Sequence, residues 1–368
     1  MPYQRIVVKL GTSTLTNGTT QLSPPRMVDL VRQMASLHAA GLDLVIVSSG
    51  AIAAGRERLN HPQLSRDIPA KQMLAAVGQP RLMALYEQLF GLYKVTVAQV
   101  LLTRADLSDR RRYLNSRNTL AALLAQRVIP IVNENDTVAT EEIRVGDNDN
   151  LSALVANLIE ADLLVLLTDQ PGLFTADPRQ DPHARLVTEV AELEIPAELW
   201  QAAGGLAGKL GTGGMFTKLQ AADLARRSGA SVVIARGSDP EVLNRLVAGE
   251  VSGTRFHPVA TAVESRKRYI LAGGAAGRLV VDEGAARALR SGSSLLPIGV
   301  VSVEGVFERG DAVRVIAPDG REVARGLVNY AAVDLARICG RRSDEIESLL
   351  GFNYGQEVIH RNGMVLLC

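Results

Sequence analysis

From the N-terminus to about Ala248, short runs of consecutive apolar residues alternate with longer segments in which apolar positions recur every three or four residues. Runs of the first kind suit strands buried on both faces, and segments of the second kind suit helices with one apolar side. The runs predict six strands, at Arg5–Leu10, Leu42–Val47, Val95–Leu101, Val128–Val132, Leu163–Leu167 and Ser231–Ala235. Between them the spacing predicts helices over Pro24–Ala39, Ala51–Leu59, Ala70–Phe90, Asp106–Gln126, Leu151–Glu160, Thr217–Ser228 and Pro240–Ala248. In the fourth of these, Leu114, Leu120, Leu123 and Leu124 fall where a helix gathers them on one side. Strand and helix in regular alternation imply an α/β domain, a parallel sheet covered by helices.

Beyond Val251 the alternation stops. A basic patch, Arg266-Lys267-Arg268, leads into the small-residue run Ala272-Gly273-Gly274-Ala275-Ala276-Gly277, which reads as a linker. Shorter β-like runs follow at Arg278–Val281, Gly299–Val303, Ala312–Ile316 and Glu322–Val328, with a turn at Pro318-Asp319-Gly320. We therefore expect a large domain over residues 1–258, a linker over 259–277 and a small, mostly β domain over 278–368. Ala197–Gly214 reads as a loop.

Composition narrows the class. A chain of 368 residues with net charge +1 is long enough for two domains, and it has no general attraction for nucleic acid or an acidic membrane. Cys339 and Cys368 make no disulfide framework, and no apolar run approaches the ~20 residues of a membrane helix. Met1 to Leu10 reads as a strand rather than an export signal, so a cytoplasmic protein is expected. The five histidines are scattered without metal-ligand spacing, and no metal site of the chain's own is expected.

Candidate chemistry gathers at the predicted strand ends, where open parallel sheets place their ligands. Gly211-Thr212-Gly213-Gly214-Met215-Phe216-Thr217-Lys218 sets three glycines and a lysine where a loop enters a helix. Backbone N–H groups, the helix start and a full positive charge together suit a phosphate. The stretch is neither a Walker loop nor a GxGxxG turn, since Phe216 occupies the last glycine position of the latter. Lys9 ends the first buried strand, where a lysine without an anion is costly. Ser49, after the second strand, reads by itself as a helix cap, a role compatible with an anion-binding helix start. Asn133-Glu134-Asn135-Asp136 and Gly146-Asp147-Asn148-Asp149-Asn150 form two carboxylate-rich loops joined by what reads as a hairpin. They suit either a clamp on an ammonium group or plain turns, and their spacing fails as a calcium loop. Thr168 and Asp169 end the fifth strand beside the expected nucleotide, whereas Asp177-Pro178 reads as a turn.

Two lysines on separate elements, a glycine-rich loop and several acids suit phosphoryl transfer, in which negative charge spreads over the migrating group. An acceptor carboxylate, ionised at pH 7 with a reference pKa of about 4.3, requires no general base.

With these residues assembled, the chain resembles the amino-acid kinase family, and within it the glutamate-phosphorylating kinases that carry a C-terminal PUA domain. The resemblance runs in order through Lys9-Leu-Gly-Thr-Ser, Ser49-Gly-Ala-Ile-Ala-Ala-Gly, Asn133-Glu-Asn-Asp136, Gly146-Asp-Asn-Asp-Asn-Leu-Ser-Ala, Leu-Thr168-Asp169-Gln and Gly-Thr212-Gly-Gly-Met-Phe-Thr-Lys218. It implies an αβα sandwich on a largely parallel sheet. It also implies conversion of L-glutamate and ATP to L-glutamyl 5-phosphate and ADP, the first step of proline synthesis, with Mg2+ carried on the nucleotide. Ser49, Asp136 and Asn148 would bind glutamate. Lys9, Thr168, Asp169, Thr212, Gly213, Gly214, Met215, Phe216, Thr217 and Lys218 would bind ATP. Lys9 and Lys218 would carry transition-state charge, and Asp149 would hold them in place. Oligomers and inhibition by proline are expected on the same ground. Phe216 stands where similar proteins carry a small or polar residue, so its ring is expected to narrow the nucleotide site or stack in it. PUA domains elsewhere bind RNA, yet residues 278–368 carry eleven Arg and no Lys against twelve Asp or Glu, which argues for a domain that packs on or modulates the kinase and leaves only Arg287, Arg290, Arg341 and Arg342 as a candidate basic patch.

Overall fold

A computed structural model describes residues 3–65, 67–139, 148–204, 214–250, 252–261, 270–271 and 274–367. It divides into two compact units, one of residues 1–108 and 116–262, the other of 109–115 and 263–368.

In the first unit the chain runs β1 (Arg5–Leu10), α1 (Thr12–Thr16), α2 (Pro24–Ala39), β2 (Asp43–Ser48), α3 (Ala51–Arg58), α4 (Ile68–Gly91), β3 (Val97–Leu102), α5 (Arg104–Ser108), α6 (Arg110–Ala125, of which 116–125 belong to this unit) and β4 (Ile129–Glu134). It continues through α7 (Asn148–Leu158), β5 (Leu163–Thr168), β6 (Glu189–Val190), α8 (Ala197–Ala202), α9 (Met215–Arg227), β7 (Ser231–Arg236), α10 (Val242–Val247) and β8 (Thr254–Phe256). The strands form one sheet in the order β3-β4-β2-β1-β5-β7-β8-β6, parallel throughout except where β8 runs against β7. All six expected strands are present within two residues of the expected bounds at each end. The short strands β8 and β6 at one end of the sheet escaped the pattern because two or three residues carry no periodicity.

Alternation along the central strands divides the sheet into two faces. Ile6, Val8 and Leu10 of β1, with Ile46, Ile131 and Val165, pack with α2, α4 and α10 in one core. Val7 and Lys9 therefore face the other side, where α7 and α9 lie. One expected helix is two: Asp109 interrupts it, accepting from Arg112 N at 2.9 Å as an N-terminal cap does, so α6 starts afresh after α5. The loop expected over Ala197–Gly214 opens instead with α8, while 205–213 lie outside the described residues.

The second unit contains β9 (Gly277–Val281), α11 (Glu283–Arg290), β10 (Val300–Gly305), β11 (Ala312–Ile316), β12 (Glu322–Leu327), α12 (Ala332–Ile338), α13 (Ile346–Leu350) and β13 (Met364–Leu366). Its sheet has the order β10-β9-β11-β12-β13 around a separate apolar core. Three helices no longer than eight residues were not foreseen, since so few turns give little period to read. Asp282 caps the first of them by accepting from Ala285 N at 2.7 Å.

One helix crossing matters for function because α3 starts beside Ser49. A Cβ on Gly55 would lie 1.9 Å from the Leu74 carbonyl oxygen, and one on Gly78 would lie 1.8 Å from that of Ala51. Both positions therefore require glycine, and their contact brings α4 against the start of α3. Gly55→Ala or Gly78→Ala should cost about 1–3 kcal/mol or more, because backbone must separate from backbone. Gly91→Ala, with open space around it, should be neutral. Urea unfolding of the three variants checks this, and equal midpoints would refute the crossing.

Candidate active site

The sheet order places β1 between β2 and β5, and the chain builds outward first on one side and then on the other. A crevice opens at such a switch point beyond the strand ends. Lys9 lies one residue before the end of β1 and is 4% exposed. Opposite, α7 presents Asp149, which is 1% exposed. Lys9 Nζ sits 2.6 Å from Asp149 Oδ1, and Lys218 Nζ, from the first turn of α9, sits 3.2 Å from Oδ2. Thr217 Oγ1 donates to the same Oδ2 at 2.7 Å.

Burial by itself would push Asp149 up, but the two ammonium charges and the hydrogen bonds from Lys9 and Thr217 prevail and hold it well below the usual carboxylate range. Lys218 is lowered, mainly by burial and further by Lys9, with Asp149 opposing both. Two ammonium groups held this close by a shared carboxylate suit an anion that presents several oxygens.

On the β2 and β4 side, Asn148 Nδ2 lies within bonding distance of three acceptors: the Ser48 carbonyl at 2.8 Å, Asn133 Oδ1 at 3.0 Å and Ser49 Oγ at 3.1 Å. Asn133 Nδ2 donates to Gln79 Oε1 of α4 at 2.7 Å. Ser48 Oγ and the fully buried Tyr86 OH share a hydrogen bond of 2.9 Å, which ties the end of β2 to the same helix. Asp136 follows β4 half-buried, and loss of hydration pushes its carboxyl up to about 6.

On the β5 side a cleft of about 850 Å³ is lined by Thr168, Asp169, Phe174, Gly214, Met215 and Lys218, among others. Thr168 Oγ1 donates to Asp169 Oδ1 at 2.9 Å. Asp177 also lines the cleft, yet it accepts from Arg179 N at 3.0 Å and so makes the expected turn. The ring of Phe216 meets Trp200 of α8 edge-on, with centroids 5.6 Å apart.

Lys9, Lys218, Asp149 and Thr217 thus converge on one point, and Ser49 and Asn148 meet beside it. Thr212, Gly213 and residues 140–147 of the hairpin expected between Asp136 and Asn148 lie outside the described residues. The capping role considered for Ser49 is not observed. Gly50, at φ 100°, occupies the cap position of α3 with no side-chain cap, and Ser49 Oγ instead accepts from Asn148. Gln79 was missed. Its signal was one amide beside Gly78, on the apolar side of a long helix that also carries Leu82 and Tyr86.

These are the elements of a known fold. The model of the amino acid kinase family matches residues 4–236, and that of the PUA domain matches 277–350. Among curated proteins, glutamate 5-kinase of Herpetosiphon aurantiacus is 58% identical over 365 residues, covering 99% of this chain and 98% of its own. That of Deinococcus radiodurans is 56% identical over 364 residues, covering 99% and 100%. A solved UMP kinase from Bacillus anthracis has a TM-score of 0.47 at 17% identity, covering 71% of this chain and 98% of its own. The chain belongs to the amino acid kinase family, in its glutamate 5-kinase branch, with a PUA domain toward its C-terminal end.

Asp149→Asn should remove the one carboxylate that the two buried ammonium groups share. The cost should be about 3–5 kcal/mol of stability at pH 7, seen in denaturant unfolding. The lowered pKa makes the native contribution of Asp149 fully present above about pH 4, to be lost only as pH falls through its depressed folded value. Equal wild-type and variant stability at pH 7 would remove Asp149 from this role.

Proposed function

We propose that the chain transfers the γ-phosphoryl group of ATP to the side-chain carboxylate of L-glutamate, giving L-glutamyl 5-phosphate, the first step of proline synthesis. The observation that carries this is the convergence of Lys9 and Lys218, from different elements, on the single carboxylate of Asp149. A migrating phosphoryl group spreads charge over its oxygens, and two ammonium groups held a short distance apart can neutralise it as it moves. Asp149 touches neither substrate; it orients both lysines. The nucleotide lies in the cleft at β5, with Thr168, Asp169 and the loop and helix start from Thr212 to Lys218 around it. The acceptor lies on the β2 and β4 side, at Ser49, Asp136 and Asn148. Mg2+ enters as part of the nucleotide substrate, since both oxygens of Asp149 are already engaged.

Glutamate offers an ionised carboxylate as nucleophile, so no group of the protein has to remove a proton. The chain's own work is to align, desolvate and neutralise. A nucleic-acid role for the C-terminal unit is not favoured, because acidic residues slightly outnumber arginines over residues 278–368 and Arg278, Arg321, Arg325 and Arg342 each sit against a carboxylate.

An ATP-dependent hydroxamate assay with glutamate, aspartate and N-acetylglutamate should show glutamate as the best substrate; preference for N-acetylglutamate would overturn the assignment. Lys9→Ala and Lys218→Ala should each lower turnover on the order of a hundredfold. Full activity in either variant would exclude that lysine.

Asp136 supplies a pH test. Its carboxyl titrates near 6 in the free site, so it is charged above that pH and neutral below. A bound ammonium group favours the charged form. As pH falls from 8 to 5, KM for glutamate should therefore rise while kcat changes less. Asp136→Asn should raise KM throughout and flatten that dependence. An unchanged pH profile in the variant would exclude Asp136 as the ammonium partner.

A further inference from the structure

The amide groups beside the acceptor site form a ladder whose polarity is set by its own hydrogen bonds. Asn148 Nδ2 is committed to Ser48, Ser49 and Asn133, which turns Asn148 Oδ1 the other way. Asn133 Oδ1 accepts from Asn148 Nδ2 and also from Glu134 N at 2.9 Å, so Asn133 Nδ2 must point toward Gln79, and Gln79 Oε1 receives it. Each amide determines the orientation of the next. One acceptor and one donor are left over, Asn148 Oδ1 and Gln79 Nε2. Both atoms are buried, and among the described residues neither has a hydrogen-bond partner.

Buried polar atoms are nearly always paired, and an unpaired donor and acceptor at the two ends of one network call for a ligand that supplies both partners. A free α-amino acid has that pair of groups: an ammonium that donates and a carboxylate that accepts. We propose that Gln79 is a further substrate-binding residue, its Nε2 donating to a carboxylate oxygen of the acceptor amino acid while Asn148 Oδ1 takes its ammonium group. This rests on the activity proposed above and adds to it the means by which the site selects a zwitterion. An N-acylated substrate keeps the carboxylate but replaces the charged ammonium by a bulkier amide with a single neutral N–H, a poorer match for the Asn148 end of the ladder.

The position of Gln79 supports the role. It stands next to Gly78, whose close approach to Ala51 brings α4 up to the residues that follow β2. Tyr86, two helical turns further on, bonds Ser48 from the same helix. The amide is therefore carried by a rigid element anchored on both sides, as an orienting group must be.

Steady-state kinetics of Gln79→Glu in the full-length chain test the proposal. The new carboxylate still accepts from Asn133 Nδ2, but an acceptor replaces the donor that faces the substrate. KM for glutamate should rise roughly ten- to a hundredfold, the loss expected for a hydrogen bond to a charged group. KM for ATP should be unchanged, and kcat at saturating glutamate should stay close to that of the wild type. Gln79→Met, of similar length and without a donor, should show the same split, and it serves if the Glu variant fails to fold. A folded variant with unchanged KM for glutamate overturns the role, as does a parallel rise in both KM values, which marks a structural residue. A wild-type chain that does not turn over glutamate overturns the activity itself and the inference with it. Wild-type turnover beside an unaltered variant overturns the inference alone.

Discussion

Three charges at one buried point organise the site: the ammonium groups of Lys9 and Lys218 on either side of the Asp149 carboxylate. Taking such groups out of water is expensive, and a buried ion pair seldom repays its desolvation by stability. In the phosphoryl transfer proposed above, that cost is offset by the migrating group, whose negative charge the two ammonium groups meet as the bond is exchanged. Asp149 keeps two like charges close in the meantime, and Thr217 adds a hydrogen bond to the same oxygen.

The first turn of α7 divides the site. Adjacent residues on a helix project about 100° apart, so Asn148 reaches toward β2 and β4 while Asp149 reaches toward β1 and α9. One turn of helix thus contributes to the half that suits an amino acid and to the half that suits a nucleotide. The sheet supports this division. Because β1 lies between β2 and β5, its terminal lysine sits where the two half-sites meet. The contact of Gly55 and Gly78 sets the third wall by bringing a long helix against a short one, with Tyr86 and Gln79 delivered to the ends of the strands.

The orientation of the amides has a chemical consequence. In a site built only from carboxylates and lysines, charge alone would choose the ligand. Asn133, Asn148 and Gln79 add directional groups whose donors and acceptors cannot be exchanged without breaking their mutual bonds. Such networks discriminate strongly, since a ligand that lacks one group leaves a buried partner unmatched.

By itself the sequence determined the strands, because consecutive Val, Ile and Leu such as Leu163–Leu167 have no comfortable place except between two layers. It determined most of the helices, whose period spans several turns, and the lysine and glycine chemistry at the strand ends, where Lys9 and Lys218 already read as an anion site. Only the tertiary structure decided which groups meet. Asp149 could be read as a turn residue or as part of a clamp until α7 was placed against β1, and Ser49 could be read as a cap until Asn148 approached it. Gln79, thirty residues from Ser49 and fifty-four from Asn133, looked like a polar interruption in an apolar helix. Period and composition record how each segment buries its own surface. A hydrogen bond between residues so far apart depends on packing distances of a few ångströms, which local sequence does not encode.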